Sequence, residues 1–128
     1  NNLTLWSSLK EKEKEDIFGR TKVDNIEYES EKKPLTAHTK RTSLKDEQGN
    51  SIEILRQSMP YGDMKQQGLF FVSYCQSPEP FEIMLKSMIF GDEHGHVDHL
   101  LKYTQAETGA AFFAPSLTFL TETLPDQA

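Results

Sequence analysis

Apolar positions along this chain come in short bursts between long polar stretches, and the bursts differ in period. Phe81, Met84, Leu85 and Met88 recur at i, i+3, i+4 and i+7, one stripe of an α-helix predicted over 79–89 and expected to pack on a sheet. The run Gly-Leu-Phe-Phe-Val-Ser-Tyr-Cys at 68–75 is apolar on both faces at its start, the pattern of a central strand covered from two sides. Upstream, 51–56 alternates apolar with polar for most of its length, follows the turn chemistry of 45–50, and predicts a hairpin with the Thr-rich 36–44. Met59-Pro60-Tyr61-Gly62-Asp63 is expected to break that strand.

Polar segments frame these bursts. Ser8-Leu9-Lys10-Glu11 reads as a capping box with Ser8 at the N-cap, and Gly19 stands where a left-handed C-cap would close a helix over 9–18. Only Leu9, Ile17 and Phe18, with Trp6 ahead of them, can anchor that helix, so its charge run is a wet face. Residues 19–34 read as a long surface connection and 91–95 as a loop. Asp98 is placed to cap a short helix through Tyr103, and Ser116 to cap a last helix reaching Leu124. Between them, Thr108-Gly109-Ala110-Ala111-Phe112-Phe113 is a small-then-aromatic stretch that permits close backbone approach. The sum is an α+β chain, an antiparallel sheet with helices on one face.

Composition narrows the class. A length of 128 residues suits one domain over 1–128, while 36% apolar against 27% charged residues is lean for a self-sufficient globule. A net charge of −6 removes the electrostatic drive for nucleic acid or an anionic membrane surface, and no apolar run approaches a membrane span. The single Cys75 cannot form an internal disulfide, which suits a reducing cytoplasm, and within an apolar strand it reads as an inert buried thiol. The chain starts without Met, which reads as processing or as part of something longer.

Imidazoles are the first candidates for chemistry, being both acid-base groups near neutral pH and common metal ligands. His94, His96 and His99, with Asp92 and Asp98, offer enough donors for a divalent metal. Their spacing is not the i, i+4 of a helical site and two glycines loosen the loop, so a solvated polar loop is the better reading. His38 stands alone at the mouth of the expected hairpin, and Arg56 ends the partner strand, where a permanent guanidinium can offset developing negative charge. Ser58 has no evident base and no nucleophile elbow, and no phosphate loop or paired-Cys motif occurs.

Several short blocks, in order, resemble one family. They are Asn2-Leu3-x-x-Trp6, Ile17-x-Gly19-Arg20-Thr21-Lys22, Ala37-His38, Ile54-Leu55-Arg56-x-x-Met59-Pro60-Tyr61-Gly62, Gly68-Leu69-Phe70-Phe71 and Thr108-Gly109-Ala110-Ala111-Phe112-Phe113-Ala114-Pro115-Ser116. Together they resemble the C-terminal half of the dye-decolorising haem peroxidases of bacterial cytoplasmic type. The resemblance implies a ferredoxin-like α+β unit, the second half of a dimeric α+β barrel type of fold, holding haem b (iron protoporphyrin IX). It implies His38 as the proximal iron ligand and Arg56 as the distal arginine that polarises the O–O bond of peroxide. Leu69 and Phe71 would form the apolar distal wall, and Asp98 would accept a hydrogen bond from His38.

The resemblance also implies partners: hydrogen peroxide, a small aromatic reductant, the N-terminal half of the same enzyme, and further copies in a homo-oligomer. Two departures stand out. Ser58 replaces the Asn that often follows the distal arginine by two positions, and so joins Arg56 as a catalytic candidate. The Gly-x-x-Asp-Gly motif that supplies the family's distal aspartate is absent from this sequence, and with it the N-terminal half and the first strand of the C-terminal unit. The chain alone is therefore expected to be inactive. The competing readings are a non-catalytic ferredoxin-like module for ligand binding or oligomerisation, and a haem-handling protein without turnover.

Overall fold

The computed structural model describes residues 2–123. Two helices open the chain, α1 (Asn2–Ser8) and α2 (Glu11–Phe18), where one helix over 9–18 was expected. The break lies at Lys10, whose backbone is extended at φ −67° and ψ 156°. Glu13 accepts the Lys10 N–H at 2.8 Å, so the cap sits two residues later than the sequence suggested. Ser8 is not that cap: its hydroxyl turns back to the Leu5 carbonyl at 2.7 Å. Gly19 closes α2 in the left-handed region at φ 77°, as expected.

The Thr-rich segment 36–44 is not a strand. It carries α3 (His38–Thr42), a helix too short to persist on propensity alone. Tertiary anchors hold it: Thr39 Oγ1 donates to the Phe18 carbonyl at 2.9 Å, and Thr42 Oγ1 donates back to the His38 carbonyl at 2.9 Å. The Asp46 turn forms as anticipated, its carboxylate accepting the N–H groups of Gln48 and Asn50. Its flanks meet only in the isolated bridge between Lys45 and Ser51. Residues 20–28 connect irregularly, with a bridge between Arg20 and Glu27 and Asn25 at a positive φ of 54°.

The hairpin lies further along. Strand β1 (Leu55–Gly62) pairs antiparallel with β2 (Gln67–Tyr74) through a turn whose Asp63 carboxylate accepts the Lys65 and Gln66 N–H groups. Met59 and Pro60 therefore continue the strand instead of breaking it, Pro60 standing opposite Leu69. A proline is tolerated because the described sheet has two strands, both of them edges. For the same reason β2 is not a covered central strand: Leu69, Phe70 and Phe71 are each more than half exposed. Cys75, just beyond it, is exposed and not buried.

Helix α4 (Glu79–Ile89) spans the expected residues and starts with Pro80 in its first turn. Its stripe does not form a sheet-packing face. Met84 is buried, Leu85 is 52% exposed, and the helix packs against α3. The 3-10 turn His99–Lys102 follows Asp98, whose side chain accepts the Leu100 N–H, the cap foreseen from sequence. Ser116 likewise caps α5 (Leu117–Thr123) through the Phe119 N–H at 3.1 Å; Leu124 lies outside the described residues. Among the described residues the buried apolar core is small, Ala37 and Met84, and Trp6 stacks edge-on against Phe18 and Tyr103. The class is α+β with an antiparallel sheet, as the pattern implied.

Candidate functional site

The site grows from a close approach. Gly19 runs against the start of α3, where a Cβ would lie 2.3 Å from Thr39 Oγ1 and 3.1 Å from the Ala37 methyl. Ala37 is fully buried in that contact, so the next residue, His38, is set at the helix start with its ring turned toward the 91–98 loop. There its Nδ1 meets Asp98 Oδ2 at 2.6 Å. Asp98 is 1% exposed, and burying a carboxylate is costly unless it is paired and hydrogen-bonded. It is both: Oδ1 accepts the Leu100 N–H at 2.9 Å while Oδ2 holds the imidazole. The same residue's backbone N–H reaches the Met88 carbonyl and the next one's reaches Thr36, tying α4, the loop and the approach to α3 together.

The outcome for His38 is chemical. With Nδ1 engaged by a carboxylate, the ring is oriented and its Nε2 is left available as a donor. No described residue hydrogen-bonds Nε2, and the side chain is 28% exposed. An oriented imidazole with a free, basic nitrogen is the donor that a haem iron takes on its proximal side, so the residues present fit that group.

The remaining candidates share one surface. In an antiparallel pair, residues directly opposite project to the same face, and along each strand the faces alternate. Ser58 pairs with Phe71, Pro60 with Leu69 and Arg56 with Ser73. Arg56, Ser58, Leu69 and Phe71 therefore project from one face of the hairpin, two polar groups beside two apolar ones. All four are exposed. A cavity of about 200 Å³ lies between the end of α3 at Thr42 and Ser43, the 51–53 segment and Arg56. Arg56 lines this cavity, and the ring of His38 is not in its wall.

The histidine-rich loop is organised by hydrogen bonds within itself. Asp92 Oδ1 accepts the N–H groups of His94 and His96, each at 3.1 Å, and its two oxygens lie 2.9 and 3.0 Å from His96 Nδ1. These bonds, led by the His96 N–H, hold the Asp92 carboxyl at about 2, well below its ordinary value. The His94 ring stands edge-on to His96 at 6.1 Å, yet among the described residues no group of three or more His, Cys, Asp or Glu could hold a metal ion. Burial pushes the His99 imidazole below its ordinary value.

Sequence reasoning passed over Arg41. Its side chain is buried, donates from Nη1 to the His96 carbonyl at 3.1 Å, and pairs with Asp92 at 3.2 Å. The signal was its i+3 offset from His38, visible only if 38–42 is read as a helix.

Known proteins are similar to this chain along nearly its whole length. The family profile described as Dyp-type peroxidase, C-terminal, matches residues 1–119, and the chain belongs to that family. A putative Dyp-type peroxidase from Shewanella oneidensis superposes with a TM-score of 0.89 at 62% identity, covering 97% of this chain and 40% of that one. A dye-decolorizing peroxidase from Mycolicibacterium paratuberculosis is 35% identical over 127 residues, 98% of this chain and 36% of the relative. A variant of DypB from Rhodococcus jostii, solved in complex with heme, superposes with a TM-score of 0.87 at 32% identity, covering 92% of this chain and 39% of that one. The chain thus spans well under half the length of the proteins it matches. No helix among the described residues is long and apolar enough to cross a membrane.

Proposed function

We propose that this chain is the haem-holding portion of a longer peroxidase that reduces hydrogen peroxide and oxidises one-electron donors such as dyes or phenols. The observation that carries the reading is the 2.6 Å contact between His38 Nδ1 and the buried Asp98 carboxylate, which leaves Nε2 directed away as a ligand. His38 would hold the iron of haem b, Asp98 would fix the ring and raise its basicity, and Leu69 and Phe71 would form an apolar wall. When bound, haem supplies the redox chemistry that couples reduction of peroxide to one-electron oxidation of donors.

The protein's own residues do the rest. Arg56 keeps its charge at every working pH, so it can orient a peroxide oxygen and offset negative charge as the O–O bond lengthens. Ser58, on the same face two residues on, offers a hydroxyl that donates to peroxide or solvent. The aspartate motif for proton movement is absent from this sequence, so that task falls to the N-terminal half of the longer enzyme, the partner this reading requires. In this reading residues 1–128 act as one haem-binding ferredoxin-like domain, the enzyme works in the cytoplasm, where Cys75, the one cysteine of these 128 residues, stays reduced, and it assembles as a homo-oligomer.

The test is Arg56→Leu in the native-length, haem-loaded polypeptide. The Soret band is retained and the rate of peroxide reduction falls by about 10²–10³-fold. An unchanged rate removes Arg56 from the chemistry.

A further inference from the structure

We infer that Arg41 and Asp92 are positioning residues for His38, an outer clamp that sets the strength of the hydrogen bond between His38 and Asp98. The inference rests on the proposed reading of His38 as an iron ligand. Helix α3 contacts the 91–98 loop twice. His38 reaches its end, at Asp98, and Arg41, one turn later, reaches its beginning, at Asp92, and its middle, at the His96 carbonyl. The loop between these points is tightly folded: Gly91 has φ 78° and lies so close to His96 that a Cβ would sit 2.8 Å from that residue's backbone. Asp92 gathers the N–H groups of His94 and His96, and Arg41 bonds both Asp92 and the His96 carbonyl, so one network joins Arg41 to the loop.

The chemistry follows from geometry. A hydrogen bond as short as 2.6 Å loses strength with small displacements, and Asp98, anchored also by Leu100 and Met88, ends the loop whose beginning and middle Arg41 holds. A carboxylate on the far nitrogen makes a histidine a stronger donor to iron, strengthening the iron–nitrogen bond and favouring the ferric state. Loosening the clamp therefore weakens that bond and raises the Fe(III)/Fe(II) midpoint potential.

The experiment uses the native-length, haem-loaded protein with Arg41→Lys, Arg41→Gln, Asp92→Asn and Asp98→Asn. It reads the iron–histidine stretching frequency of the ferrous form, the midpoint potential and the rate of haem loss. Asp98→Asn sets the reference: a lower frequency, a higher potential, and haem loss faster by about 10–100-fold. Arg41→Gln and Asp92→Asn move all three in the same direction by less, Arg41→Lys recovers part of the change, and in the Asp98→Asn background the clamp substitutions shift frequency and potential no further. If Arg41→Gln does not fold, Asp92→Asn decides. Wild-type frequency and potential in Asp92→Asn, with Asp98→Asn shifted, overturn the clamp alone. A wild-type frequency in Asp98→Asn as well overturns the tuning role of Asp98, and an iron–histidine band that survives His38→Gly overturns the reading of His38 beneath it.

Discussion

Two regions of this molecule satisfy their polar and apolar groups in opposite ways. Around α3, Ala37 is fully buried, Arg41, Thr42 and Asp98 are nearly so, and the short helix is bonded to α2, to the 91–98 loop and, through Asp98, to α4. In the β1–β2 hairpin the strands stay in register over eight residue pairs, yet Leu55, Met59, Tyr61, Leu69, Phe70 and Phe71 all remain more than half exposed. One region is fixed by side chains and the other by main chain. The ligand candidate sits in the first, where orientation is determined within the chain. The residues proposed to meet peroxide sit on the second, where alignment is set only by register.

The largest expected effect falls where the first region is tightest. Gly19→Ala places a methyl against Thr39 in a left-handed backbone that alanine resists, and should cost about 3 kcal/mol or more, read as a loss of midpoint in chemical denaturation. Met84→Ala, removing the buried side chain between α4 and its neighbours, should cost about 2–3 kcal/mol by the same measurement. By contrast Phe70→Ser on the hairpin, opposite the equally exposed Met59, should cost under about 1 kcal/mol in this 128-residue chain. A cost matching that of Met84→Ala would erase the distinction between the regions.

The smallest effect is a pH dependence. The Asp92 carboxyl, lowered to about 2 by the loop N–H groups and His96, stabilises the folded chain above the unfolded value near 3.8. That contribution is lost as pH falls through the folded value. The stability gap between the native chain and Asp92→Asn should therefore be constant above about pH 5 and shrink between about pH 4 and 2. A gap independent of pH across that window would mean the loop does not hold Asp92 in its charged form.

The comparison also explains what the sequence disclosed. Helix α4, the Gly19 cap, the Asp98 cap and most of β2 were legible because period and local capping fix them whatever surrounds them. The fate of 36–44 was not. Its threonines favour a strand on propensity, and only hydrogen bonds to Phe18 and to its own backbone turn it helical. That single misreading hid Arg41, because residues 38 and 41 fall on opposite faces of a strand and on adjacent positions of a helix. Likewise Met59-Pro60-Tyr61-Gly62 looks like a breaker only if the sheet continues beyond it, and an apolar run such as 69–72 looks buried only if something covers it. Family resemblance pointed to His38, Arg56 and Asp98, and spacing alone would not have joined His38 to a residue 60 positions away.

The central claim is that His38 Nε2 is an iron ligand oriented by Asp98. The most direct measurement is resonance Raman spectroscopy of the ferrous, haem-loaded native-length protein beside its His38→Gly variant. The account predicts an iron–histidine stretching band that disappears in His38→Gly and returns when imidazole fills the vacated space. A band that persists in His38→Gly without added imidazole would show that another residue holds the iron.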